Sequence, residues 1–234
     1  MPDPRSDIPV PRRSTLSADY QRDWEEYYSA VEGKPPRDTL LRALNAFEEA
    51  DEKGGETVLR RAIDIGCGEG RDTREILRRN GKTRWTVVAT DSSAAGLERL
   101  ARSLTADEKG RAVLIQRPME EIEPELDARP GFDLVNASFA LPFCRPEAFP
   151  LLWISVQRNL RAGGRFAGQF FGDRDEWACV RPKSHFTRAQ VEQLLHAMSV
   201  EHLEEVEKEG DDATGKPKYH HVFHVVARKQ REKE

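Results

Sequence analysis

Asp64, Gly66, Gly68, Gly70 and Asp91 are the residues whose types and spacing point to chemistry. The first four lie in A-I-D-I-G-C-G-E-G-R-D-T, residues 62–73, and Asp91 in the T-D-S-S run from Thr90. An acid closing an apolar run, glycines at alternate positions, and a second acid about twenty residues on form a nucleoside-holding pattern. Glycine permits a tight turn and lets a ligand approach bare backbone. Asp91 stands where an acid takes a pair of ribose hydroxyls; its other reading is a helix cap with Ser92. The glycines depart from G-x-G-x-x-G, since the third comes one residue early and Arg71 takes the next place. No G-K-[ST] follows, so a phosphate-cradling loop is excluded. Asp64 and Glu69 would repel a pyrophosphate and attract a cation. The turn suits an adenosine ligand without phosphates and with positive charge.

Hydrophobic periodicity gives the elements that must position these residues. The run from Val58 to Ile65, broken by Arg60 and Arg61, predicts a buried parallel strand. Asp72 and Glu75 have the spacing of a capping box, which opens a helix after the turn. Further strands are predicted at 85–90, 112–115, 132–139 and 165–171, with helices between them, one of them running over about 150–160 to a stop at Gly163-Gly164. Strands alternating with helices imply a parallel sheet covered on both faces. Thr187 with Gln190 forms a capping box, and Phe186 with Val191 a hydrophobic staple, for a helix over Val191–Met198. Two strand-like runs, 200–206 and 219–227, follow with no helix between them and read as an antiparallel hairpin. Before the sheet, Tyr20, Trp24, Tyr27, Tyr28 and Val31 share one helical face, ended by Gly33 and Pro35-Pro36. Asp38 is a candidate cap for a second helix carrying Leu40, Leu41, Leu44 and Phe47. The expected division is a disordered tail (1–17), an N-terminal helical cover or lid (18–55), a catalytic α/β domain (56–229) and a charged tail (230–234).

The chain has 234 residues and a formal net charge of −4, enough for one large domain and without the basic face of a dedicated nucleic-acid binder. No apolar run is long enough to span a bilayer, and the first residues lack the apolar stretch of a signal peptide. Cys67, Cys144 and Cys179 show neither zinc spacing nor a disulfide framework, which points to a reducing cytoplasm and no metal.

The segments G-C-G-E-G-R-D-T, T-D-S-S, F-D-L-V-N-A-S-F, L-R-A-G-G-R-F and H-V-F-H-V-V-A-R-K together resemble the class I S-adenosylmethionine (SAM) dependent methyltransferases. Small-molecule enzymes of the tellurite-resistance type are the branch suggested. The resemblance implies a Rossmann-like domain, a mostly parallel seven-stranded sheet ending in the antiparallel hairpin, and SAM as cofactor. It implies cofactor roles for Asp64, Gly66, Gly68, Gly70, Asp91 and Ser92. It places Met119 and Glu120 at adenine, and Asn136 at the end of the fourth strand beside methyl transfer. N-A-S-F where nitrogen-directed relatives often carry N-P-P-Y argues against DNA adenine and glutamine acceptors.

The implied acceptor is a small molecule, with no nucleic-acid or membrane partner, acted on by a monomer or homodimer. Tyr27, Arg37, Phe139 and Phe143 are the expected pocket residues. His185, read as a loop histidine beyond the fifth strand, and Tyr28 are the candidate catalytic groups. His220, His221 and His224 are read as packing or meeting solvent. Two rival functions are a nicotinamide-dependent oxidoreductase and a non-catalytic SAM-binding module.

Overall fold

The computed structural model describes residues 8–9, 24–54, 56–79, 81–123, 131–180 and 183–230. Tyr20, most of the expected disordered tail and residues 231–234 lie outside them. Ile8 is buried among the core residues of one sheet face, so the tail expectation fails at that position.

Among the described residues, eight strands form one sheet. They are β1 (Val58–Ile65), β2 (Thr83–Asp91), β3 (Ala112–Gln116), β4 (Phe132–Ala137), β5 (Leu160–Gly172), β6 (His185–Phe186), β7 (Met198–Asp211) and β8 (Pro217–Lys229). The order is β3-β2-β1-β4-β5-β8-β7, with β6 paired to β5. Strands β1 to β5 are parallel; β8 runs antiparallel to both β5 and β7. The chain order reverses between β1 and β4, and ligands of open α/β sheets bind outside the strand ends at such a point. The expected seven strands and hairpin are present, and β6 is an eighth.

Helices cover both faces. Helices α1 (Trp24–Val31) and α2 (Asp38–Asp51) precede the sheet, and α3 (Arg71–Arg78), α4 (Ala94–Ser103) and α5 (Ala106–Lys109) lie between its first strands. Then come α6 (Phe149–Asn159), α7 (Glu176–Val180) and α8 (Arg188–Leu195). Leu40, Leu44 and Phe47 of α2, Ile76 and Leu77 of α3 and Leu100 of α4 make one buried layer with Trp85. Trp153 and Val156 of α6 with Val191, Leu194 and Leu195 of α8 make the other. Helix α2 is therefore part of the sheet's packing, whereas α1 stands at the carboxyl edge, with Tyr28 against the turn at Gly68. The arginines that interrupt β1 are spent at the far end. Arg60 pairs with Asp51 and Asp133, and the Arg61 amide donates to Asp133 at 2.9 Å.

Three local expectations change. Gly70, in the left-handed region, is the N-cap of α3, so Asp72 falls inside the first turn and is free to face the site. Asp38 begins α2 and does not cap it, because Arg37 takes the N-cap position. Gly163-Gly164 do not stop a helix: α6 passes directly into β5, and the pairing jumps from Phe132↔Leu160 to Leu134↔Arg165, a bulge. The predicted capping box of Thr187 and Gln190 is present with both of its bonds.

Candidate active site

The turn after β1 holds Gly66, Gly68 and Gly70 all at positive φ. A Cβ on Gly68 would lie 3.1 Å from Cε1 of Tyr28, and one on Gly70 would overlap Leu100. Bare backbone is thus required on one side by α1 and on the other by α4. Asp91, at the end of β2, ties the turn down: it accepts from the Gly68 amide at 2.7 Å and from the Ser93 amide at 2.8 Å. Ser93 in turn caps α4 by accepting from Gly96. Burial raises the Asp91 carboxyl above its ordinary range.

Behind the turn lies a buried polar network. Asp64 accepts from Thr73 at 2.6 Å and from the Asn136 amide at 2.8 Å. Asp72 accepts from Arg71 at 3.0 Å, from the Arg37 backbone amide at 3.3 Å and from Asn136 at 3.4 Å. Burial, and then the neighbouring Asp72 carboxylate, raise Asp64 to about 7. Asn136 is fully buried and its side chain serves Asp64; it is not among the residues lining the cavity. Glu69, expected to draw in a cation, faces Arg74 at 2.9 Å.

In front of the turn opens a cavity of about 850 Å³, within the range of small-molecule sites. Gly66, Gly68, Asp91, Ser92, Met119 and Glu120 border it on one side. Glu120 also accepts from the Arg145 amide at 3.0 Å. Helix α1 borders it as well, contributing Trp24, Tyr27, Tyr28 and Val31. Tyr27, Tyr28 and Val31 also close a small adjoining cavity of about 40 Å³ against Asp64 and Asp72.

The far side is aromatic and cationic. Phe139 lies beneath the Arg37 guanidinium at 4.5 Å, and Phe143 beneath the Lys183 ammonium at 3.2 Å. The Phe171 ring stands 6.5 Å from Phe139 and 6.4 Å from Phe143, with Lys218 5.0 Å above it. Lys218 pairs with the buried Asp175 at 2.6 Å. Phe139 has φ of 53°, unusual for an aromatic residue, and is held there by Gln169, which accepts from its amide at 2.8 Å. His224 faces the same space, edge-on to Phe139 at 6.0 Å. Burial holds its imidazole below the usual histidine value, and the charge of Arg37 pushes the same way.

Lys183, Lys218, Phe171, Trp177 and His224 are cavity residues that the sequence reading missed. For β8 the signal was available, since Lys218, His220, Val222 and His224 alternate onto the cavity face with the period of a strand. His221 faces the other way, where it meets Glu205 at 2.8 Å; Arg174 bridges Glu205 and Glu207, so a guanidinium already fills that carboxylate cluster.

Of the two expected catalytic groups, Tyr28 borders the cavity and His185 does not. His185 is buried in β6, its Nδ1 3.0 Å from the Lys183 carbonyl, and it does not border the cavity. Tyr28 lies on the glycine turn, and burial together with Asp91 drives its hydroxyl's pKa well upward, so it keeps its proton. Cys144 is likewise buried and held protonated. Tyr27, Arg37, Phe139 and Phe143 do border the cavity as expected. No helix among the described residues is long and apolar enough to cross a membrane.

Residues 63–166 match a family described as a methyltransferase domain. A carboxy-S-adenosyl-L-methionine synthase of Stutzerimonas stutzeri is 31% identical over 106 residues, covering 44% of this chain and 42% of that protein. The enzyme of the same name from Erwinia tasmaniensis is 28% identical over 137 residues, 58% of this chain and 48% of the relative. The chain therefore spans about half the length of the curated relatives it matches. Among solved structures, TehB from Haemophilus influenzae superposes with a TM-score of 0.61 at 15% identity, over 88% of this chain and 67% of that one. A Burkholderia thailandensis 1,6-didemethyltoxoflavin-N1-methyltransferase, solved with 1,6-didemethyltoxoflavin and S-adenosylhomocysteine (SAH), gives 0.58 at 21% identity, over 88% and 85%. These superpositions establish the shared fold.

Proposed function

We propose that the chain is a class I SAM-dependent methyltransferase that binds SAM and transfers the sulfonium methyl to a small-molecule acceptor, a reading supported by the match of residues 63–166 to a methyltransferase domain and by the shared fold. The observation that carries the reading is the joint placement of the glycine turn and Asp91 at the ends of β1 and β2, opening on one cavity with an aromatic far wall. The family match supports this reading over the nicotinamide one weighed from the sequence.

The residues present fit the cofactor. Asp91 is the ribose acceptor, the bare turn at Gly66 and Gly68 admits the ligand, and Met119 packs on adenine. Asp64, held by Thr73 and Asn136 at the small adjoining cavity, presents negative charge toward the ammonium end once it is ionised. When bound, SAM supplies an activated methyl, so the chain has mainly to align the acceptor and exclude water. Helix α1, which borders both cavities, excludes water. Arg37, Phe139 and Phe143 orient the acceptor. His224, kept neutral by burial, receives the acceptor's proton where the accepting atom carries one.

Calorimetry with SAH and turnover of methyl-labelled SAM test this reading. His224→Gln is expected to lower kcat about a hundredfold with SAH affinity retained. The wild-type rate should rise with pH as the imidazole loses its proton, somewhere below the ordinary histidine value of 6.5, and then level off. The variant should lack that rise. An unchanged rate in the variant removes His224 from the chemistry, and absence of SAH binding to wild type removes the reading itself.

A second reading is favoured by the relatives' name and by Arg37, whose guanidinium borders the cavity while its backbone amide reaches Asp72. In it, the sulfonium substituent handled here carries a carboxylate. Comparing the affinities of SAM and carboxy-SAM decides between the two.

A further inference from the structure

We propose that Asp64 exchanges a proton for the ligand's ammonium group: a neutral acid in the ligand-free chain, it is ionised when the ammonium settles in the small cavity beside it, and the proton leaves to solvent. This deepens the cofactor reading and rests on it for the ammonium.

Three carboxyl groups border that cavity of about 40 Å³, which has room for one small group. Glu69 is paired with Arg74 at 2.9 Å, and Asp72 with Arg71 at 3.0 Å. Asp64 has no ion pair among the described residues; its bonds are to two neutral groups, the Thr73 hydroxyl and the Asn136 amide. It is 1% exposed, so bulk water does not stabilise its charge. The Asn136 amide also reaches Asp72, at 3.4 Å, and so stands between two acids. A buried carboxylate beside another carboxylate, with no cation of its own, is relieved by taking up a proton. Either state keeps the Thr73 contact, because a hydroxyl both donates and accepts.

Charged and titratable groups face Asp64 from every neighbouring element. Helix α3 brings Asp72 and Arg71, and the turn brings Cys67 and Glu69. The end of β2 brings Asp91, helix α1 brings Tyr27 and Tyr28, and the linker after α1 brings Arg37, which gives Asp72 its backbone amide and sets its guanidinium over Phe139. Burial keeps Cys67 and Tyr28 protonated. Burial and then Asp72 raise Asp64, while Thr73, Asn136 and Arg71 oppose the rise without undoing it. A ligand ammonium brings the missing cation. The cavity then holds a carboxylate and an ammonium where it held a neutral acid, so its net charge is unchanged and one proton has passed to the buffer. A ligand without the amino group leaves Asp64 as it was. Asp91, also raised by burial, meets the ribose that both kinds of ligand share.

The test is calorimetry on the full chain near pH 7, where Asp64 titrates, with SAH and with its desamino analogue, each in two buffers of different ionisation enthalpy. SAH should release about a third of a proton per molecule more than the analogue does. Because the ammonium favours the ionised form, SAH affinity is lowest where Asp64 is protonated. It should rise about threefold more than that of the analogue between about pH 5.5 and about pH 7.5. Asp64→Asn should abolish both differences. Equal release by the two ligands, or an equal pH dependence, overturns the proposal and leaves the cofactor reading standing. Absence of SAH binding overturns both. The comparison of the two ligands on wild type decides the matter even if Asp64→Asn does not fold.

Discussion

The two sides of the cavity are built by different means. On the cofactor side, backbone does the work: three left-handed glycines, two amides held by Asp91, and acids that are each tied by hydrogen bonds. On the opposite side, side chains do it: rings, ammonium groups and a guanidinium, drawn from the linker after α1, from the segment after β4, from β5, and from the chain after β5. The family match, residues 63–166, contains the first side and reaches only Phe139 and Phe143 of the second. A backbone site tolerates few sequences, because φ and close approach are fixed by glycine. A side-chain wall can be rebuilt residue by residue on the same scaffold, and fold likeness therefore speaks to the cofactor more than to the acceptor.

Substitutions can break that contrast. The largest effect is expected at Gly70, where valine would combine a left-handed backbone with overlap on Leu100. Gly70→Val should cost about 2–6 kcal/mol in denaturant unfolding; a loss under about 1 kcal/mol would mean that the turn is not fixed by glycine. Asp91→Ala comes next. It should weaken SAH at least about tenfold, from the loss of about 1.5–3 kcal/mol of charge-assisted bonding. Because Asp91 also holds the Gly68 and Ser93 amides, the ligand-free protein should lose stability as well. Intact SAH affinity in a folded Asp91→Ala protein would move the ribose elsewhere.

Asp64→Asn should have the smallest effect and sharpens the charge argument. SAM should weaken about threefold, and an analogue without the amino group should not. Asp64 is raised to about 7 in the fold against 3.8 for the free side chain. The folded state therefore keeps a proton that the unfolded chain loses, and wild-type stability declines as pH rises between those values. The variant lacks this term, so its stability relative to wild type should grow from about pH 4 to about pH 7 and then hold level. A constant difference across that range would mean Asp64 is ionised throughout.

How much of this was legible follows the same division. Gly66, Gly68, Gly70 and Asp91 declare themselves, because backbone geometry restricts residue type and leaves a spacing in the sequence. The alternation of strands and helices was readable for the same reason. Asp72 misled, since its spacing to Glu75 suits a cap while Gly70 already performs that task. Gly163-Gly164 misled because a bulge and a helix stop ask for the same residue. His185 was expected near the cavity and His224 was not, and the structure has them the other way round. Which of two histidines on late strands faces a cavity depends on register against β5, which local spacing does not encode. Lys183 and Lys218 went unremarked in the sequence, because only the folded chain sets their stems among aromatic rings.

Phe139 has a consequence for anyone who selects variants of this chain. A left-handed aromatic residue costs about 1–3 kcal/mol of backbone strain, sustained here by Gln169, which is itself bonded to Thr39 of α2 at 2.9 Å. Asparagine or glycine at 139 would accept that backbone readily. Either would also remove the ring on which Arg37 rests. A screen that rewards heat resistance alone would thus be drawn to this position, and would enrich sturdier proteins that have lost part of the cavity's aromatic wall.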